Sequence, residues 1–192
     1  MSEANPPAAP LEQIRLATLA ARAAAILVLL LFMVGWLRTM ERPWICPCGT
    51  VEFWHGALTA RENSQHFSDW HSALHVIFGM ALFGFVNALK PRWATGAKLV
   101  VAIASSAAWE VMENTPLLID LFSNATNAIP YSGDSILNAV GDTLFVAFGF
   151  LAAAWLPAFA TVLVALGLEA SIAFAIQDGF VIGTLRLFGV DI

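Results

Sequence analysis

Charge is what this chain has least of: 12% of its 192 residues are Asp, Glu, Lys or Arg, about half the ~25% of an ordinary soluble domain. So few charges cannot cover a water-facing surface, which excludes a soluble enzyme domain and a disordered protein. Cations are the scarcer sign, nine Lys and Arg against fourteen acids for a net charge of −5. Phosphate binding needs clustered Lys and Arg, so no nucleic-acid partner is expected. Also missing are a Walker loop, a Rossmann glycine fingerprint and a nucleophile elbow with a Ser-His-Asp order. No internal repeat or heptad pattern is visible.

What is present is apolar: 59% of the residues are hydrophobic, against ~45–50% in a typical domain. A helix needs about 20 apolar residues to cross a bilayer. The chain is therefore expected to be all-α, a polytopic membrane bundle of about five transmembrane helices with an external loop between helices 1 and 2. Met1 to Pro10 is proline-rich with small and polar residues, and the flexible tail is taken to extend through residue 16, with 17–192 as one transmembrane domain.

The first span, Thr18 to Leu37, is flanked by Arg15, Arg22 and Arg38. It is too long for a signal-peptide core and lacks a small-x-small cleavage site, so it reads as an uncleaved anchor. Residues 39–70 turn polar and carry Trp44, Trp54 and Trp70, side chains suited to the headgroup level. Further spans are expected over Ser72–Leu89, Ala97–Ile119, Asp134–Trp155 and Ala158–Ile176, with Phe180–Val190 lying along the interface. The turn between the second and third spans holds Lys90, Arg92 and Lys98 without an acid, which points to a cytoplasmic N-terminus in a bacterial inner membrane.

A helical rise of 1.5 Å per residue turns position into depth. His75 then falls in the loop-side third of the second span, Glu110 and Glu113 in that third of the next, and Asn138, Asp142 and Glu169 at similar depth in the last two. Glu110, Glu113 and Asn114 share one helix stripe, as do Asp134, Asn138 and Asp142. An intramembrane carboxylate costs about 2.5–3.5 kcal/mol on insertion scales, whereas interhelical glue is available from Ser, Thr or Asn. The expected working groups are therefore His75, Glu110, Glu113, Asp134 and Asp142, with Asp69, Trp70, Asn114, Asn138 and Glu169 as ligand contacts.

Other groups leave alternatives open. Cys46-Pro47-Cys48 in the loop fits a structural pair or disulfide, metal binding with His55 or His66, or redox chemistry. His71 and His75, at i and i+4, share a helix face. Ser68 or Asp69 can cap the helix that carries His75, so Asp69→Ala is expected to disturb the site as His75→Ala does.

Several dense polar blocks resemble an uncharacterised bacterial multi-pass membrane family, a domain of unknown function. They are Trp44-Ile45-Cys46-Pro47-Cys48-Gly49-Thr50, Trp54-His55-Gly56, Glu62 to His66, Ser68-Asp69-Trp70, Trp109 to Asn114 and Gly133 to Asn138. The resemblance spans about Trp44 to Asp178. In that pattern an aromatic stands at His71 and a histidine at Phe78, which weighs against a paired-histidine metal site. More distantly, Asp69, His75, Glu110, Asp134, Asn138 and Gly141 resemble the order found in VanZ-like membrane proteins, implying a shared bundle and little about reaction type.

Two functional readings follow, and proton or ion transport is a third, set behind them because the carboxylates lie in one layer rather than in a relay across the bilayer. One is a lipid-modifying protein, with His75 as base or ligand and Glu113, Asp134 and Asp142 as metal or proton partners. The other is a non-enzymatic protein binding a lipid, a cofactor or a partner membrane protein in a pocket walled by Trp70, Trp109 and Phe83. The substrate, any cofactor and the identity of any metal are not legible.

Overall fold

The computed structural model describes residues 9–57, 59, 61–125, 127 and 130–190. Among them the chain forms seven helices and no strand: α1 (Ala9–Thr39), α2 (Ser72–Leu89), α3 (Thr95–Glu113), α4 (Pro116–Ser123), α5 (Ile136–Trp155), α6 (Ala158–Ile176) and α7 (Phe180–Leu187). Four of them, α1, α2, α5 and α6, are long and apolar enough to cross a membrane. The fifth long helix, α3, carries Lys98, Glu110 and Glu113, and it packs against α1, α2 and α5.

The distribution of polarity is inverted relative to a soluble protein. Leu31, Phe32, Phe85, Phe148, Leu163 and Phe174 are exposed, Phe174 by 85%, while Glu110, Asp134, Asn138 and Asp142 are buried. Only a hydrocarbon surround makes both halves of that pattern favourable, because apolar surface then needs no cover and each polar group must find a partner inside. The apolar core is small and in two parts, one where α1 meets α3 and α5, around Met33, Leu37, Ala107, Ile136 and Ala139, the other where α2 meets α5, around Val76, Met80 and Ala153.

Helices α2 and α5 form the closest pair. A Cβ on Gly149 would lie 2.0 Å from the carbonyl oxygen of Val76, so the two backbones touch, as small residues permit in membrane helix pairs. At the far end of α2, Lys98 Nζ donates to Asn87 Oδ1 at 2.5 Å and to the Pro91 carbonyl at 3.3 Å.

Several boundaries differ from the sequence expectation, three of them with a readable cause. The tail expected through residue 16 is helical from Ala9, because the segment from Leu11 is built of good helix formers that extend the apolar run; residues 1–8 lie outside the described residues. The span expected to continue to Ile119 stops at Glu113. Thr115 precedes Pro116 and so disfavours helical geometry, and α4 restarts with Pro116 in its first turn and Thr115 Oγ1 accepting the Leu118 N–H at 3.5 Å. Helix α5 begins at Ile136 behind the cap Ser135, whose Oγ accepts the Asn138 N–H at 3.1 Å.

The loop folds over that helix start and completes it. The free N–H groups of Ser135, Ile136 and Leu137 donate to the carbonyls of Ser64, Pro43 and Trp44 at 3.0, 2.8 and 3.1 Å. Gly141 lets the loop come closer still, since a Cβ there would sit 2.2 Å from the Phe67 carbonyl oxygen. One end of the bundle is thus sealed by backbone hydrogen bonds, and the ionisable residues lie just beneath it.

Candidate functional site

Three helices contribute the centre of the polar layer. His75 Nδ1 of α2 stands 3.6 Å from Glu110 Oε1 of α3, and His75 Nε2 stands 3.6 Å from Asp142 Oδ2 of α5. Both separations exceed a good hydrogen bond. Ser72, one turn before His75, donates its hydroxyl to Asp142 Oδ1 at 2.9 Å and fixes that carboxylate. Glu113 lies one turn from Glu110, and ligand atoms of His75, Glu110 and Glu113 fall within 4.8 Å of one another.

Glu110 is the least satisfied group in the layer. It is 0% exposed, and among the described residues neither of its carboxylate oxygens has a hydrogen-bond partner. Asp134 is its opposite. Oδ2 accepts from Asn114 Nδ2 at 2.6 Å and Oδ1 from the Tyr131 hydroxyl at 3.0 Å, while its backbone N–H donates to Asn114 Oδ1 at 2.7 Å and its carbonyl accepts from Arg42 Nε at 3.0 Å. Burial pushes the Asp134 carboxyl up and outweighs the hydrogen bonds from Glu113, Asn114 and Tyr131 that pull it back. Burial likewise raises the Tyr131 phenol well above its usual range, helped by the charges of Asp134 and Glu113.

A cavity of about 330 Å³ opens onto this layer. Its polar end holds His75, Glu113, Asp134 and Asp142, its walls include Leu74, Phe78 and Trp109, and α7 lines it through Phe180, Thr184 and Leu187. Apolar walls leading to a few convergent polar groups are the usual form of a small-molecule site. The segment expected to lie along the interface is therefore, over Phe180–Leu187, a wall of the cavity.

Not every expected residue joins. Asn138 turns to the loop and donates Nδ2 to the His66 carbonyl at 2.9 Å. Glu169 caps α7, accepting the N–H groups of Phe180 and Val181 at 3.2 and 2.9 Å, because those free helix-start donors lie within its reach. Trp70 packs edge-on against Trp54, and Phe83 against Phe150, so of the three expected aromatic walls Trp109 alone lines the cavity. Asp69 lies three residues ahead of α2 and does not cap it: its Oδ1 accepts the N–H of His71 at 2.8 Å, and its own N–H donates to Ser72 Oγ at 3.1 Å. Ser68 Oγ donates to the Phe53 carbonyl instead of capping. Cys46 and Cys48 are joined in a disulfide.

Sequence reasoning missed Tyr131, Ser72 and Asp178. Ser72 had a signal, since it precedes His75 by three residues on one helix face; Tyr131 and Asp178 lie in connecting segments whose folding no periodicity reports. Asp178 Oδ2 is 3.6 Å from His71 Nε2, and Asp69 Oδ1 is 3.7 Å from His71 Nδ1. Burial pulls the His71 imidazole down, but Asp178 and Asp69 more than reverse this and its pKa is raised. Burial pushes Asp178 up, and the bonds to His71 and the Gly179 N–H reverse that too, leaving it lowered.

The pH window of this contact follows. A raised His71 contributes stability that is fully present below its ordinary pKa and lost as pH rises through the raised one; a lowered Asp178 contributes above its ordinary pKa and loses it as pH falls through the lowered one. The contact that ties the α6–α7 turn to α2 is thus strongest in mild acid and loosens on the alkaline side. Imidazole resonances followed through a pH titration are expected to show the His71 midpoint falling in Asp178→Asn; an unmoved midpoint would remove Asp178 as its partner.

The family model described as "Protein of unknown function (DUF2585)" matches residues 37–190. A UPF0314 protein of Sphingopyxis alaskensis is 43% identical over 164 residues, 85% of this chain and 86% of its own length. UPF0314 proteins of Paracoccus denitrificans (38% identical, 85% of this chain and 84% of the relative) and Rhizobium meliloti (41%, 77% and 75%) are similar in the same way. No solved structure matches the chain.

Proposed function

The chain belongs to the DUF2585 family, and for this member we propose a cation-holding site that receives the polar head of a membrane lipid or lipid-linked substrate. The observation that carries this reading is the Glu110 carboxylate, fully buried with no hydrogen-bond partner among the described residues, beside His75 and Glu113 at ligand spacing. A buried carboxylate in that condition is stabilised by a proton or a cation. An imidazole with two carboxylates is a common donor set for a divalent transition ion such as zinc. The cavity supports the second half of the proposal, since its apolar walls suit acyl chain while its polar end suits a head group.

In this reading Asp142, fixed by Ser72, orients the His75 ring from the other side and so holds it as a donor to the cation. Binding without reaction uses the same contacts, so turnover is a separate measurement from occupancy. The basic turn with Lys90 and Arg92 lies at the opposite end of α2 from His75, which supports an outer-face location for the site in a bacterial inner membrane.

Elemental analysis of detergent-purified protein is expected to find about one equivalent of a divalent metal, lost in His75→Ala and in Glu110→Gln. Native mass spectrometry of the same samples is expected to find a copurified lipid that the metal-free variants release. A metal-free wild-type protein that also carries no lipid would sink the proposal.

A further inference from the structure

A second group of reactive side chains sits in the loop, apart from the polar layer. Cys46 and Cys48 form a disulfide, and a ring nitrogen of His66 lies within 4.8 Å of both sulfurs. The two sulfurs differ in setting: Cys46 is 2% exposed, whereas Cys48 faces outward. Cys46 Sγ also accepts the backbone N–H of Cys48 at 3.1 Å.

His66 is 1% exposed and firmly held. Its Nδ1 accepts the Glu52 N–H at 3.2 Å, its carbonyl accepts Asn138 Nδ2 at 2.9 Å, and its ring stacks on His55 at a 4.4 Å centroid distance. Accepting at Nδ1 leaves the proton of the neutral ring on Nε2. That buried Nε2–H has no hydrogen-bond partner among the described residues. Such a donor is costly to leave unmet, and it belongs to a ring that stands at ligand distance from both sulfurs.

We propose that Cys46–Cys48 is a thiol–disulfide exchange centre in which His66 stabilises Cys46 as the leaving thiolate. The thiolate of an incoming dithiol attacks the exposed Cys48 Sγ. The Cys46–Cys48 bond breaks, its electron pair passes to Cys46 Sγ, and a mixed disulfide joins Cys48 to the incoming molecule. The second thiol of that molecule loses its proton to solvent and attacks its own sulfur in the mixed disulfide. Cys48 is released and takes a proton from water. The protein disulfide gains two electrons and the dithiol becomes a disulfide; run in reverse, the reduced Cys46/Cys48 pair reduces the disulfide of a client. Exchange is faster when the leaving thiol has a low pKa, and the Cys48 N–H and the His66 ring are the groups that lower it at Cys46. The titratable groups facing His66 are His55 and Glu52, with ligand atoms of all three within 4.8 Å of one another, and, through His55, Glu62, whose carboxylate lies 3.1 Å from His55 Nε2.

The test uses the full chain in detergent, treated with millimolar dithiothreitol and then trapped with a maleimide for intact-mass measurement. Reduction of the folded wild type at pH 7 is expected to run about tenfold faster than in His66→Gln, whose rate should follow the ionisation of the dithiol alone across the pH series. Because His66 also holds the loop, a second variant spares it. In Cys48→Ser the free Cys46 thiol is followed by thiolate absorbance at 240 nm, with the same chain in guanidinium as reference. Its folded form is expected to hold at least about ten times the thiolate fraction of an ordinary thiol of pKa near 8.5 at pH 7. A disulfide that resists dithiothreitol until the chain unfolds, or a Cys46 that titrates alike folded and unfolded, would overturn the proposal.

Discussion

A valine at Gly149 is expected to remove most of the folded protein. The Cβ alone would fall 2.0 Å from the Val76 carbonyl oxygen, and the atom it meets is backbone, which no rotamer change can move aside. Overpacking a core usually costs about 1–3 kcal/mol, and displacing a whole helix lies at or beyond the top of that range. The damage reaches the site as well as the fold, because Val76 follows His75 and Gly149 lies two turns beyond Asp142. Parting α2 from α5 therefore opens the 3.6 Å approach of His75 to Asp142. Gly84 in α2 is the control, since a Cβ there meets nothing within 4 Å. Gly84→Ala is expected to keep or slightly raise the melting temperature, as such replacements do at unstrained helical sites. Size-exclusion profiles and thermal melts in detergent read both; a monodisperse, normally stable Gly149→Val protein would show that the crossing is looser than this.

Span positions were legible because hydrocarbon thickness imposes a length and lipid imposes a composition. Those two rules point to spans over about Ser72–Leu89 and Ala158–Ile176, where α2 and α6 lie. Depth was legible for the same reason: a fixed rise per residue placed His75, Glu110 and Asp142 at one level, and the structure brings them to 3.6 Å contacts. Rotation was harder. Asn138 and Asp142 share a stripe, yet Asn138 reaches up to the His66 carbonyl while Asp142 turns to Ser72, because the loop offers a carbonyl to the first turn of α5. Glu169 had the right depth and the wrong neighbours, its carboxylate drawn to the free N–H groups of α7, a helix that periodicity over eight residues hardly announces. The Thr115-Pro116 pair carried a readable signal of a helix restart, obscured by the apolar run that continues through it.

Glu110→Met and Asp134→Ala are expected to move stability in opposite directions, and that contrast separates a site from a scaffold. Both carboxylates are buried in one layer. Asp134 is the hub of a satisfied network, so its removal leaves Asn114 and Tyr131 facing an empty partner position, at a cost of about 3 kcal/mol. Glu110 accepts nothing among the described residues. Replacing it with an apolar side chain of similar length relieves a buried unsatisfied group and is expected to stabilise the chelator-treated protein by about 1–3 kcal/mol. The same change should abolish cation binding, because one of the three donors is gone. A residue that weakens the fold and is required for a ligand is a functional group held at structural expense, the pattern anticipated for an acid in a membrane span. Melting temperatures measured in chelator, then after adding back zinc, give the comparison directly. Wild type is expected to gain from the metal and Glu110→Met to gain nothing while starting higher. Should Glu110→Met instead fall as far as Asp134→Ala in chelator, Glu110 would be interhelical glue and the cation reading would lose its central group.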